Sequence, residues 1–161
     1  MNILNIIDSL ELNGGSIMFL EMSSAIQQYW TNEKVVSYVV GKTGGLGRDG
    51  LINDVLYESY GVDIHKYSYE SFTRDVIPTI RNSVVFHHVL GYTKNLVFHP
   101  SCKYIVINHT ATNVNRIPGF NARKVVCVSG YFKLKTIAGN RHARLSPMTI
   151  LNGCADYINI E

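Results

Sequence analysis

The sequence is short of cysteine, of charge and of long apolar runs, and each shortage removes a class of protein. Its three cysteines, Cys102, Cys127 and Cys154, are widely spaced and odd in number. No CxxC pair and no Cys/His zinc spacing is present, so neither a disulfide framework nor a structural zinc is expected. A reducing compartment, the cytoplasm, is the simple reading. Charged residues make up 17% and the formal net charge is +3, too mild to argue for nucleic acid or an anionic membrane. Basic residues gather only late, at Arg116, Arg123, Lys124, Lys133, Lys135, Arg141 and Arg144. Such a face suits a phosphate, an anionic lipid in peripheral contact, or simply water. No apolar run approaches the roughly 20 residues of a membrane-spanning helix. The N-terminus lacks the basic and small-residue regions of a signal peptide. Without one, the glycosylation sequon at Asn108-His109-Thr110 reads as a chance match.

What is present is globular. A hydrophobic content of 46% over 161 residues fits one domain, spanning 1–161, with a sizeable core. Strand and helix patterns alternate along it. Asn2–Ile7 is a short apolar run rich in β-branched residues, as in a buried strand. Gly14-Gly15-Ser16 follow as a turn. Met18, Met22, Ala25, Ile26 and Tyr29 then recur at helical spacing on one face. Further strands are expected at Val35–Val40, Val62–His65, Val84–Val89, Tyr104–His109, Val125–Ser129 and Met148–Leu151. Helices are expected around Leu51–Leu56 ending near Gly61, from a Ser71 cap through Ile80 with a kink or late start at Pro78, at Tyr92–Phe98 and, weakly, at Tyr131–Ala138. The fold class is therefore α/β: a Rossmann-like, doubly wound parallel sheet of about six or seven strands, with the first strand central.

Such sheets bind ligands beyond the carboxyl ends of their strands. That rim would carry Gly14-Gly15, Gly41–Gly50, His87-His88, His109-Thr110, Ser129-Gly130 and Asn152-Gly153. Gly14 and Gly15 allow close backbone approach, and the helix behind them offers N–H groups to a phosphate. Gly41-Lys42-Thr43 lacks the upstream glycine of a P-loop, because Val36 stands there. Gly45-Leu46-Gly47-Arg48-Asp49-Gly50 matches GxGxxG but starts well beyond its strand, and a surface loop is the expectation. His87 and His88 are consecutive strand residues and point to opposite sheet faces, so a shared metal is not expected. His109 ends a strand among polar neighbours, where a histidine is either a site residue or a hydrogen-bonded structural one.

The order of these landmarks resembles the N-terminal domain of a GT-B glycosyltransferase of the retaining family 4 type. Those domains open with a strand, a loop and a Gly-Gly pair heading a helix, as Asn2–Ile7 and Gly14-Gly15-Ser16 do. They carry a strand ending in histidine, like Ile105–His109, then one ending in Val-Ser, like Val125–Ser129. They close with a strand and Asn-Gly-x-Asp; here Asn152-Gly153 is followed by Asp156 with one residue inserted. The resemblance spans the whole chain. It implies sugar transfer from a nucleotide-sugar co-substrate to an acceptor, with no metal or other cofactor. It also implies roles: His109 catalytic beside the transferred sugar; Gly14, Gly15, Ser129 and Asn152 at the donor; His87 and His88 near the acceptor. The family's donor-binding second domain would begin where this sequence stops. A separate donor-binding domain or subunit is thus an expected partner, and the isolated chain is expected not to transfer sugar. Two alternatives stay open: a non-catalytic Rossmann-like binding module, and a single-domain dinucleotide-binding protein.

Overall fold

The computed structural model describes residues 2–10, 13–29, 32–41, 58–89, 96–109, 122–128 and 148–149. Among the described residues, seven strands form one sheet: β1 (Asn2–Ile7), β2 (Lys34–Gly41), β3 (Ile64–Ser68), β4 (Ser83–Val89), β5 (Lys103–Asn108), β6 (Ala122–Cys127) and β7 (Met148–Thr149). Their order is β3-β2-β1-β4-β5-β6-β7, and every pairing is parallel. The chain is a Rossmann-like α/β fold. β1 lies inside the sheet between β2 and β4, and all of it beyond Asn2 is buried. A strand covered on both faces must be nearly continuous in apolar residues, and this one is.

The single polar residue in the middle of β1 is what docks the first helix. Helix α1 (Gly14–Tyr29) lies on one face of the sheet, over a core of Ile7, Leu10, Phe19, Leu20 and Val39. Asn5, fully buried, donates from Nδ2 to the Ser23 hydroxyl at 2.7 Å and to the Phe19 carbonyl at 3.3 Å. Ser37 on β2 donates to the same Ser23 oxygen at 3.1 Å. The buried face of α1 is therefore Gly15, Ser16, Phe19, Leu20, Ser23 and Ile26. The stripe read from Met18, Met22, Ala25 and Tyr29 is wrong apart from Ile26, and Tyr29 is 75% exposed. Ser16 and Ser23 disguised the inward face because polar residues were read as outward.

The other face is covered by a short helical segment that changes pitch. It runs as an α turn at Tyr69–Ser71, a π turn at Phe72–Val76 and a 3-10 turn at Ile77–Thr79. Ser68, not Ser71, is its cap: its hydroxyl accepts the Ser71 N–H at 3.1 Å. Pro78 cannot donate within a regular α-helix, and the segment is in its tighter 3-10 turn there and extended by Ile80. Phe72, Val76, Ile77 and Ile80 join Leu4, Ile6, Val85, Leu96, Phe98 and Tyr104 in the larger core.

Three further expectations shift. β3 begins at Ile64 rather than Val62, because Val62 is buried as a loop residue before the edge strand. Leu96–Phe98 is irregular rather than helical, although Leu96 and Phe98 point into the core. Gly41 is the last residue of β2, not the start of a loop. Gly61 takes φ +62°, the left-handed conformation that suits glycine, and donates to the Glu58 carbonyl at 3.1 Å. The expected helices at Leu51–Leu56 and Tyr131–Ala138, and the loop Gly45–Gly50, lie outside the described residues.

Candidate functional site

The sheet order reverses between β1 and β4: the chain runs outward from β1 to β2 and β3, then returns to pair β4 with β1. In open α/β sheets a crevice forms beyond the carboxyl ends of the strands at that point. Asp8 follows β1 there, His87 and His88 lie in the last turns of β4, and His109 follows β5. The parallel register sets Ile6 beside His87 and Ile7 beside His88, with Val106 and Ile107 on the far side.

His87 faces the larger core. Its Nε2 is 2.9 Å from Asp8 Oδ1 and its Nδ1 is 2.8 Å from the Tyr104 hydroxyl. A carboxylate only accepts, so Nε2–H donates to Asp8. With a single ring proton, Nδ1 accepts from the Tyr104 O–H. Burial, followed by the charge of Asp8 and by Tyr69, pushes the Tyr104 phenol up and keeps that proton in place. The ring is 1% exposed and both nitrogens are used within the chain. Asp8 is not sealed in: its side chain keeps 18% exposure.

His88 faces α1, where the edge of its ring meets Phe19 at a centroid distance of 5.5 Å and 84°. Its Nδ1 is 2.9 Å from His109 Nε2, with the rings near-parallel at 16°. His88 Nε2 is buried without a hydrogen-bond partner. An orphaned buried N–H is rarer and costlier than an under-used acceptor. Nδ1 therefore carries the proton of His88 and donates to His109 Nε2, leaving a bare lone pair at His88 Nε2. His109, whose backbone N–H donates to the Val89 carbonyl at 3.2 Å, then holds its own proton on Nδ1. Burial lowers the His109 pKa to about 4, with the charge of Asp8 acting against that shift. Burial holds His88 well below its ordinary range, and the neighbouring His109 and His87 add to the effect. Both rings are neutral at physiological pH.

At the amino end of α1, Gly14 and Gly15 are the first two helical residues and not a turn before the helix. The cap is Asn13, whose Oδ1 accepts the Ser16 N–H at 2.9 Å, while its carbonyl accepts the Ile17 N–H at 3.1 Å. Neither glycine has a positive φ, and a Cβ at Gly14 would meet nothing within 4 Å. Nothing inside the described chain requires glycine at position 14. Comparison with protein-family models, curated proteins and solved structures finds no match to this chain.

Of the residues expected at a site, the fold brings Gly14, Gly15, His88 and His109 to the carboxyl-end rim on the α1 side of the sheet. It puts His87 on the opposite face, with a full set of partners. Ser129 and Asn152 lie outside the described residues. Asp8 is the residue that sequence reading missed; its signal was an acidic side chain directly after the first apolar strand. The GxGxxG at Gly45–Gly50 follows β2, whereas the dinucleotide fingerprint follows the first strand at the switch point. Among the described residues, no group of three or more His, Cys, Asp or Glu is placed to hold a metal ion. Nor is any helix among them long and apolar enough to cross a membrane.

Proposed function

We propose that this chain forms the acceptor-side wall of a family 4-like GT-B glycosyltransferase, acting on a nucleotide-sugar delivered by a donor-binding domain or subunit. The observation that carries the reading is the position of His109. It stands at the carboxyl end of β5, beside the switch point, on the face covered by the Gly-Gly-headed helix α1. In this reading the α1 N-terminus supports the donor diphosphate, because its free N–H groups and dipole favour negative charge. His109, neutral and half-buried, lies beside the transferred sugar. The family resemblance assigns Ser129 and Asn152 to the donor as well. His88 serves the acceptor only through His109, since it is fully buried. The buried cysteines Cys102 and Cys127 suit a cytoplasmic setting.

One wall cannot hold donor and acceptor in line, and such positioning supplies roughly 7–11 kcal/mol of barrier lowering. The chain would be assayed with radiolabelled UDP-, GDP- and ADP-sugars against glycan, lipid and hydroxymethylated-base acceptors. It would be tested alone and with the product of an adjoining reading frame. Transfer only in the mixture, lost in His109→Ala with the fold intact, supports the proposal. Transfer by the chain alone contradicts the two-wall argument, and no transfer in either case favours a binding module.

A further inference from the structure

The opposite edge of the sheet holds a serine and a histidine on two turns that are joined side by side. The first turn leads into β4. Asn82 there takes φ 50°, a left-handed conformation that asparagine tolerates, and the Ser83 hydroxyl donates to the Arg81 carbonyl at 2.8 Å. The second leads into β5. His99, Pro100, Ser101 and Cys102 form a turn closed by the Cys102 N–H on the His99 carbonyl at 2.9 Å, with proline where its fixed φ fits. Cys102 anchors that turn in the larger core, its Sγ 3.8 Å from the Ile80 carbonyl. The Asn82 N–H donates to Ser101 Oγ at 3.0 Å and ties the two turns together. Because β4 and β5 are parallel neighbours, both turns lie at their amino ends. The His88–His109 pair is at the other end, about 20 Å away along the strands.

Ser101 and His99 are both exposed, and Ser101 Oγ is 2.8 Å from His99 Nδ1. The Ser101 backbone N–H, which only donates, also meets Nδ1, at 3.2 Å. Nδ1 is therefore an acceptor, and neutral His99 carries its proton on Nε2. The Ser101 hydroxyl then donates to Nδ1 and accepts from the Asn82 N–H. A cap for the turn needs only the backbone N–H on Nδ1. The hydroxyl bond and the contact from Asn82, 19 residues away in sequence, fix Oγ beyond that need. A hydroxyl aimed at an imidazole lone pair is the arrangement that activates serine as a nucleophile. We propose that Ser101 is an acyl-acceptor site, with His99 as its general base, for a small acyl group carried on an activated ester or thioester. Oγ attacks the carbonyl carbon and forms the new O–C bond, while its proton passes to Nδ1. The bond from that carbon to the leaving oxygen or sulfur breaks with its electron pair. The proton on Nδ1 then passes to the leaving group, so the products are acyl-Ser101 and a free alcohol or thiol. An exposed turn offers the donor few contacts, so the leaving group itself must supply the activation. No residue of this site belongs to the glycosyltransferase reading, and either can fail without the other.

The test treats the full chain with p-nitrophenyl acetate, follows release of p-nitrophenolate and locates the acetyl group by mass spectrometry of tryptic peptides. Acetylation of Ser101 is expected, about 100-fold faster in the folded chain than at the same serine in the chain unfolded by urea, the lower end of what a positioned general base supplies. His99→Gln keeps a polar side chain on an exposed turn and should lose that same factor while its amide spectrum stays native. Ser101→Ala should remove the adduct. Equal rates at Ser101 in the folded and unfolded chains would overturn the proposal. So would an unchanged rate in folded His99→Gln, or acetyl groups on lysines or cysteines with none on Ser101.

Discussion

On one face of β4, His87 has a partner at each ring nitrogen; on the other, one residue later, His88 has a partner at only one. The two share a strand, a residue type and near-complete burial. What differs is who stands opposite. Asp8 and Tyr104 offer one acceptor and one donor, which a neutral imidazole satisfies together. His109 and Phe19 offer one hydrogen-bonding atom and an aromatic ring. His87 is thus a structural cross-link from β1 to β5, and His88 a less fully bonded support for a rim residue.

Replacing each histidine by leucine separates the two roles, and this is the largest expected effect. His87→Leu leaves the buried Tyr104 hydroxyl without its acceptor at Nδ1 and removes the hydrogen bond from His87 to Asp8. It should cost about 2–3 kcal/mol, the scale of stranding a buried polar group. His88→Leu removes one nitrogen that already lacks a partner and one hydrogen bond, that to His109 Nε2. It should change stability by less than about 1 kcal/mol. Urea denaturation of the three proteins checks this, and equal losses would erase the distinction between the faces.

Acid sharpens the comparison next. His88 and His109 have folded pKa values below their ordinary 6.5, in the case of His109 down to about 4. The unfolded chain therefore takes up protons at these sites before the folded one does. Their contribution to stability is complete above about pH 6.5 and is lost as pH falls from there through about 4. Denaturation midpoints should decline over that window, and the decline should flatten in the double variant His88→Leu, His109→Gln. An unchanged slope in the double variant would assign the acid sensitivity elsewhere.

The smallest effect concerns Gly14. A Cβ there meets open space, so Gly14→Ala should be neutral or stabilise by up to about 1 kcal/mol through the unfolded chain. If the glycine serves a ligand, the same variant should weaken nucleotide-sugar binding. A thermal melt beside a binding titration reads both, and a destabilised Gly14→Ala would mean that the residue serves the fold.

Much of the fold was legible because parallel strands covered on both faces are rich in apolar, β-branched residues, and β1, β2, β4 and β5 carry such runs. The edge strand β3 was displaced because Ile64–Ser68 mixes Ile and Tyr with an exposed His65 and Lys66, which blurs the pattern. The face of α1 was misread because Ser23 is buried by hydrogen bonds to Asn5 and Ser37 and not by hydrophobicity. The site was legible in part. Rim positions follow from strand ends, so His109 stood out. The Asp8–His87 bond joins residues 79 apart in sequence, and only the pairing of β1 with β4 brings them together.

The central claim is that β4 holds two histidines whose donating nitrogens are opposite, Nε2 in His87 and Nδ1 in His88, each set by its partners. Long-range 1H–15N spectra of the histidine rings at pH 7 test it directly. The account predicts His87 protonated at Nε2 and both His88 and His109 protonated at Nδ1. A His88 carrying its proton on Nε2, or a His87 carrying its proton on Nδ1, would contradict it.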